Sequence, residues 1–140
     1  MTCYVNGGNP LVPTSRQVRN ILTLRDECTA ATPIARSYAA TYEVQMEQVT
    51  FHLESTPTVS QVWTLSILRT GVTGLPNPTW YNTVLRQVDM FTAGDGGTPI
   101  TDLVCVIPFR WHPEEIISIT FANPENFDGG SQFDGIEVIP

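Results

Sequence analysis

At 140 residues the chain is long enough to bury a hydrophobic core without disulfides or metal, and one domain is the natural expectation. Seven arginines, no lysine and 14 acidic residues give a net charge of −7, which disfavours the nucleic-acid phosphate backbone and anionic membrane surfaces as partners. Cys3, Cys28 and Cys105 are odd in number and form no CxxC, so zinc-finger and dithiol redox motifs are excluded.

Charged residues make up only 15% of the chain, against roughly 25% in an average soluble domain. Thr, Ser, Asn and Gln take their place. Together with 11 prolines and 10 glycines they suit strands and turns better than helices. Residues 1–40 read as an N-terminal arm or first-strand region. "YVNGGNPLVPTSRQ" is rich in turn formers. In "QVRNILTLRDE", Val18, Ile21, Leu22 and Arg25 fit a short helix, while Val18, Leu22 and Leu24 fit a strand. "CTAATPIARSYAAT" is small and polar, and Pro33 breaks any helix there.

Residues 41–140 read as a β-sandwich domain. In "TYEVQMEQVTFHLES", Tyr42, Val44 and Met46 share one parity and Val49, Phe51 and Leu53 the other. A strand changes face only through an extra residue, so a bulge is expected near Glu47–Gln48. "QVWTLSILRT" places Trp63, Leu65 and Ile67 on one face, and a Gly/Pro loop follows. "WYNTVLRQVDM" predicts a strand with Trp80, Val84 and Val88 on one side. "TAGDGGTPIT" is a second loop. "DLVCVIPFRW" aligns Leu103, Cys105, Ile107, Phe109 and Trp111. Pro108 cannot donate to a ladder, so that strand should lie at an edge or break there. "HPEE" turns, "IISITFAN" carries Ile117, Ile119 and Phe121 inward, "PENFDGGSQFDG" is a polar loop, and "IEVIP" is a terminal strand. Six or seven short strands at this spacing indicate an all-β, antiparallel β-sandwich, with a jelly roll preferred over an immunoglobulin-like arrangement.

Candidates for chemistry are sparse. His112 stands before Pro113 and beside Glu114 and Glu115; a strand-to-strand turn with an exposed histidine and two solvating carboxylates accounts for it. His52 has the opposite parity to Phe51 and Leu53 and should face solvent. Nothing supplies a nucleophile, base and orienter together, so no catalytic residue is expected. Asp95, Asn126, Asp128 and Asp134 sit in Asp-Gly-rich segments resembling loose calcium loops. Their spacing matches no EF-hand, and Asp-Gly is a common turn dipeptide, so neither a metal nor another cofactor is expected. Cys105 fits a small buried hydrophobe; nothing supports a Cys3–Cys28 bridge. Trp63 and Trp111 fit core positions, while Trp80 and Tyr81 follow a Pro-rich loop where a half-exposed rim is expected.

From about Val49 to Ile139 the order of segments resembles the small β-sandwich structural proteins of tailed bacteriophages. The carriers are "VTFHLESTPTVSQVWTLSI", "WYNTVLRQVDM", "TDLVCVIPFRWHPEEIISITFANPE" and "GIEVIP". Glu115 stands where that group has an aspartate, and Phe133 where it has a tryptophan or tyrosine. The resemblance implies a non-enzymatic virion protein, foremost a capsid decoration or head accessory protein. It would bind the major capsid protein or another virion protein, form a homo-oligomer such as a trimer, and be made in the host cytoplasm. The residues agree in showing neither a basic n-region with an apolar h-region nor an apolar run of transmembrane length. The competing reading is a carbohydrate- or receptor-binding module of a phage tail, with its function in the loops.

Residues 1–40 hold Arg16, Arg19, Arg25 and Arg36, so the arm is basic against an acidic body. Arginine suits bidentate pairing with carboxylates. The candidate interface is therefore Arg16, Arg19 and Arg25, with Leu22 and Leu24 as apolar anchors on an acidic neighbour. The alternative is that the segment forms the first strand of its own sandwich.

Overall fold

A computed structural model describes residues 18–30, 32–68 and 82–140. Eight strands follow one another: β1 (Val18–Cys28), β2 (Ile34–Ala39), β3 (Glu43–Leu53), β4 (Val62–Leu68), β5 (Asn82–Asp89), β6 (Asp102–Trp111), β7 (Ile116–Phe121) and β8 (Gly129–Ile139). They build two antiparallel sheets of four strands, in the orders β1-β8-β3-β6 and β2-β7-β4-β5. The fold is thus the all-β sandwich that the alternating pattern predicts.

The core lies between the sheets, where alternate residues of each strand face one another. Phe51 of β3 meets two rings of the opposite sheet. It stacks on Trp63 at 6.2 Å between centroids and meets Phe121 edge-on at 4.7 Å. Trp63, Trp111, Leu65, Ile67, Ile117, Ile119 and Phe133 are all buried around them. Cys28 and Cys105 are free thiols within the core, and burial pushes the Cys28 thiol up.

The expected bulge in β3 is present. Between the pairs Met46–Gly135 and Gln48–Asp134, β3 carries the extra residue Glu47. The inward set accordingly switches from Val44 and Met46 to Val49, Phe51 and Leu53. Against β6, Glu47 stands opposite Ile107 and Pro108, between the pairs Met46–Phe109 and Gln48–Val106. Pro108 therefore occupies both an edge strand and a bulge, the two places where a missing N–H does least harm.

Three expectations need correction. The register of β5 against β4 shifts between Leu65 and Ser66, leaving Leu85 without an opposite residue. Leu85 and Val88 pack on the core, while Val84 is 55% exposed, so Val84 and Val88 do not share a face. The terminal strand begins at Gly129 and absorbs most of the expected "FDGGSQFDG" loop. Glycine is needed at 129, since a Cβ there would run into the His52 carbonyl oxygen. Thirdly, Glu115 is buried rather than solvating, as detailed below.

The segment 18–40 belongs to the sandwich itself. β1 pairs with β8 from Val18–Ile139 to Cys28–Gly129, and β2 pairs with β7. The first 17 residues, including Arg16 and Cys3, lie outside the described residues, as do Trp80 and Tyr81.

Candidate functional site

The antiparallel registers gather the loops at two ends. One end holds 29–33, 54–61, 90–101 and 122–128; the other holds 40–42, 112–115, the start of β1 and the end of β8. A depression of about 520 Å³ lies at the first end, across β1, β8 and β3. Gly129 and Gly130 leave its floor without side chains. Arg25 and Glu27 line it from β1, Thr50 and His52 from β3, with Glu54, Asp128 and Gln132 around them.

Polar side chains on these strands hold one another. Arg25 Nε donates to Gln132 Oε1 at 2.8 Å, and Gln132 Nε2 donates to Asp134 Oδ1 at 2.9 Å. Gln48 Nε2 donates to Asp134 Oδ2 at 3.3 Å, and Thr23 Oγ1 lies 3.5 Å from Asp134 Oδ1. Farther along, Arg19 donates to Gln45 Oε1 at 3.1 Å. Leu22 and Leu24 turn the other way and pack on the molecule's own core. The structure thus places Arg19 and Arg25 on the same edge strand as Leu22 and Leu24, with the leucines on the opposite face.

His52 is half exposed between two carboxylates. Its Nδ1 is 2.7 Å from Asp102 Oδ1 and its Nε2 is 3.4 Å from Glu54 Oε2. The Asp102 hydrogen bond, chiefly, raises the His52 pKa, and it holds the Asp102 carboxyl down in return. Such an imidazole is biased toward its protonated form, in which it donates from both nitrogens and cannot accept a proton. Glu27, Glu54 and Asp128 outnumber Arg25 and His52, so the recess offers mixed hydrogen bonding with an acidic excess.

The loops bordering this end are cross-braced. Glu125 accepts from the Thr58 N–H at 2.9 Å, the Val59 N–H at 3.2 Å, the Gln61 amide at 2.8 Å and the Thr58 hydroxyl. The Thr58 and Gln61 side chains, above all, hold its carboxyl down to about 2. Asp89 accepts from Ser60, the Gln61 N–H and the Phe91 N–H. Asn123, with φ of 55°, accepts from the Phe127 N–H and donates to the carbonyls of Thr29, Thr32 and Phe127. Asn tolerates this left-handed conformation better than most residues, and its side chain ties the 122–128 loop to the 29–33 loop.

The other histidine is a structural neighbour. Glu115 accepts from the His112 N–H at 2.9 Å, and the Trp111 indole donates to the Glu115 carbonyl at 2.8 Å. The HPEE turn therefore closes the β6–β7 connection, while the His112 side chain stays exposed. Asp95 occupies a short 3-10 turn, Asp128 lines the depression, and Asp134 lies in the ladder on β8. Six residues of extended chain put Asp128 and Asp134 roughly 20 Å apart. Among the described residues, no group of three or more His, Cys, Asp or Glu side chains is placed to hold a metal ion. No described helix is long and apolar enough to cross a membrane.

Sequence reasoning placed His52 outward but missed its two carboxylates, because the Asp102 pairing depends on the β3–β6 register. The depression was equally hidden, since "DGG" reads as a turn until Gly129 and Gly130 are seen inside β8.

No protein-family model matches the chain, and no curated protein matches it. Among solved structures, it is similar to a mitogen derived from Yersinia pseudotuberculosis, at 13% identity and a TM-score of 0.40, covering 84% of this chain and 86% of that one. It is also similar to chains of infectious bursal disease virus. For the Gx strain the identity is 11% and the TM-score 0.39, with 89% of this chain and 32% of that chain covered. For the Gt strain the identity is 13% and the TM-score 0.33, with 88% and 32% covered.

Proposed function

We propose that this protein is a non-enzymatic structural component of a virus particle, foremost a decoration or head accessory protein of a tailed phage. Its strand order is the observation that carries the reading. Every connection except β4 to β5 passes from one sheet to the other, which fits a jelly roll of two interleaved Greek keys. An immunoglobulin-like sandwich keeps more consecutive strands side by side within a sheet. The order of segments from Val49 to Ile139, matching the phage β-sandwich pattern, supports the same reading, and so do loops braced through Glu125, Asp89 and Asn123.

The test is particle composition and stability. Virions assembled without this protein should show missing surface density in electron micrographs, or lose their contents at lower temperature or salt. Purified particles that lack the protein when it is expressed would overturn the reading.

A second reading is favoured by one feature, the depression over Gly129 and Gly130. A concave recess with Arg25, Glu27, Thr50 and Gln132 around a glycine floor can hydrogen-bond a polar, uncharged ligand such as a glycan. Binding of host-surface glycans that is lost in Arg25→Ala and Gln132→Ala would favour this module over a particle-bound role.

A further inference from the structure

We propose that the free edge of β6, from Asp102 to Val106, is a self-association site at which two copies of this chain pair antiparallel about a two-fold axis. The inference does not depend on the virion reading.

Among the described residues, β6 is the last strand of its sheet and is paired only with β3. His52 stands opposite Asp102, and the Leu53 N–H bonds the Thr101 carbonyl at 2.8 Å. In an antiparallel ladder that bond flanks a pair that exchanges none of its own. The N–H and C=O of Asp102 therefore point away from β3. Alternation gives the same direction to Val104 and Val106, which stand opposite Thr50 and Gln48. Three consecutive edge-facing residues thus offer donors and acceptors in register.

The side chains there are out of place for an edge. Val104 is 63% exposed and Val106 is 73% exposed, while Leu103, Cys105 and Ile107 pack inward. "LVCVI" is apolar on both faces, the pattern of a strand covered on both sides. Edges usually carry charge, proline or a bulge that discourages pairing. Pro108 and the bulge do this for the second half of β6 only. β1 presents Arg19, Arg25 and Glu27 outward, β2 is short and exposes Arg36, and β5 exposes Arg86 and Gln87. Among the edges of the described sheets, Ile21 of β1 is also exposed but stands between the outward Arg19 and Thr23, whereas the first half of β6 sets two exposed valines in succession.

A second copy fits this edge by charge. The outward row of β6 runs Asp102, Val104, Val106, Pro108, Arg110, acidic at one end and basic at the other. Two such rows laid antiparallel about Val104 bring valine against valine and keep the two Asp102 carboxylates, each already held by its own His52, at opposite ends of the contact. Laid parallel, they would set Asp102 beside Asp102. Each chain carries −7, so contact between copies is least opposed where its centre is uncharged, as it is at Val104 and Val106.

Sedimentation velocity at micromolar concentration tests the proposal. The wild-type chain of 15.5 kDa should sediment as a dimer. The Val104→Lys/Val106→Lys variant should dissociate at least tenfold more readily, with unchanged circular dichroism. Val84→Lys, on the exposed face of β5, should remain a dimer. Should the lysines unfold the chain, Val104→Thr/Val106→Thr keeps strand propensity while removing the apolar contact, and should likewise weaken the dimer. Amide exchange at Val104 and Val106 should also slow as wild-type concentration rises. A monomeric wild type, or an oligomer indifferent to both double variants, would sink the proposal.

Discussion

The Tyr38 hydroxyl donates to Asp26 Oδ1 at 2.6 Å, joining edge strand β2 of one sheet to edge strand β1 of the other. Asp26 points into the sandwich and is 4% exposed. Arg36 Nε lies 3.6 Å from the same oxygen, and its guanidinium sits 5.8 Å from the Tyr38 ring centroid. One carboxylate thus ties two edges across the layer, and Asp26 Oδ2 has no hydrogen-bond partner among the described residues.

Removing the Tyr38 hydroxyl leaves this carboxylate with one fewer donor. Tyr38→Phe should lose about 1–3 kcal/mol in denaturant unfolding. Burial, followed by the Asp26 hydrogen bond, pushes the Tyr38 pKa from 10.0 up to about 12. A raised phenol pKa means the folded state keeps its proton longer than the unfolded chain. Its stabilisation is whole below pH 10 and fades as pH rises toward 12. The wild type should therefore weaken over that window, and Tyr38→Phe should weaken less steeply there. Parallel alkaline limbs would refute the assignment.

Glu125 works with the opposite sign. Its carboxyl is held from 4.5 down to about 2 by the groups of residues 58–61. Its stabilisation is present above pH 4.5 and is lost as pH falls toward 2. Glu125→Gln should lower the melting temperature at neutral pH and flatten the acid limb between those values. A variant with wild-type melting behaviour at pH 7 would show that the brace contributes nothing.

Gly129 tests the floor of the depression. A Cβ there has the His52 carbonyl oxygen and Leu53 Cδ2 in its way. Gly129→Ala should destabilise by about 1–3 kcal/mol through overpacking, measured by urea unfolding, although alanine has the better strand propensity. An unchanged midpoint would mean that β8 and β3 separate easily at this end.

Leu24 separates a core role from an anchoring one. It packs against the molecule's own core, opposite the face that carries Arg25. Leu24→Ala should cost roughly half the ~2–5 kcal/mol of a fully buried leucine. If the variant keeps its stability and loses only particle association, the leucine serves a partner instead.

The histidine between two carboxylates gives a spectroscopic test. Asp102→Asn removes the largest cause of the raised His52 pKa. The titration of the imidazole, followed by proton NMR, should move to lower pH. No movement would mean that Glu54 or solvent, not Asp102, governs the proton.

The central strands were legible because both of their faces follow from period two. The change of parity between Met46 and Val49 disclosed the Glu47 bulge, and Pro108 disclosed the edge. β1 was ambiguous because an edge strand has one free side, so Arg19, Ile21 and Thr23 interrupt any apolar rhythm. β2 was missed because Ile34 is its only fully buried residue. Glu115 and Glu125 looked alike in sequence, as acids in turns. One is buried against its own turn, whereas the other is bound to residues more than 60 positions earlier, and no local pattern encodes that.

The position of β8 has a consequence for how the chain comes to exist. β8 lies between β1 and β3, so the first and third strands meet no common neighbour until Gly129–Ile139 has been made. During synthesis β1 waits while more than a hundred residues follow it from the ribosome. Such distant pairing folds slowly, and the waiting chain exposes unpaired edges to its surroundings. A chain stopped before β8 would have no way to complete this sheet, so production should be close to all or nothing: full-length molecules that close, and truncated ones left to proteases.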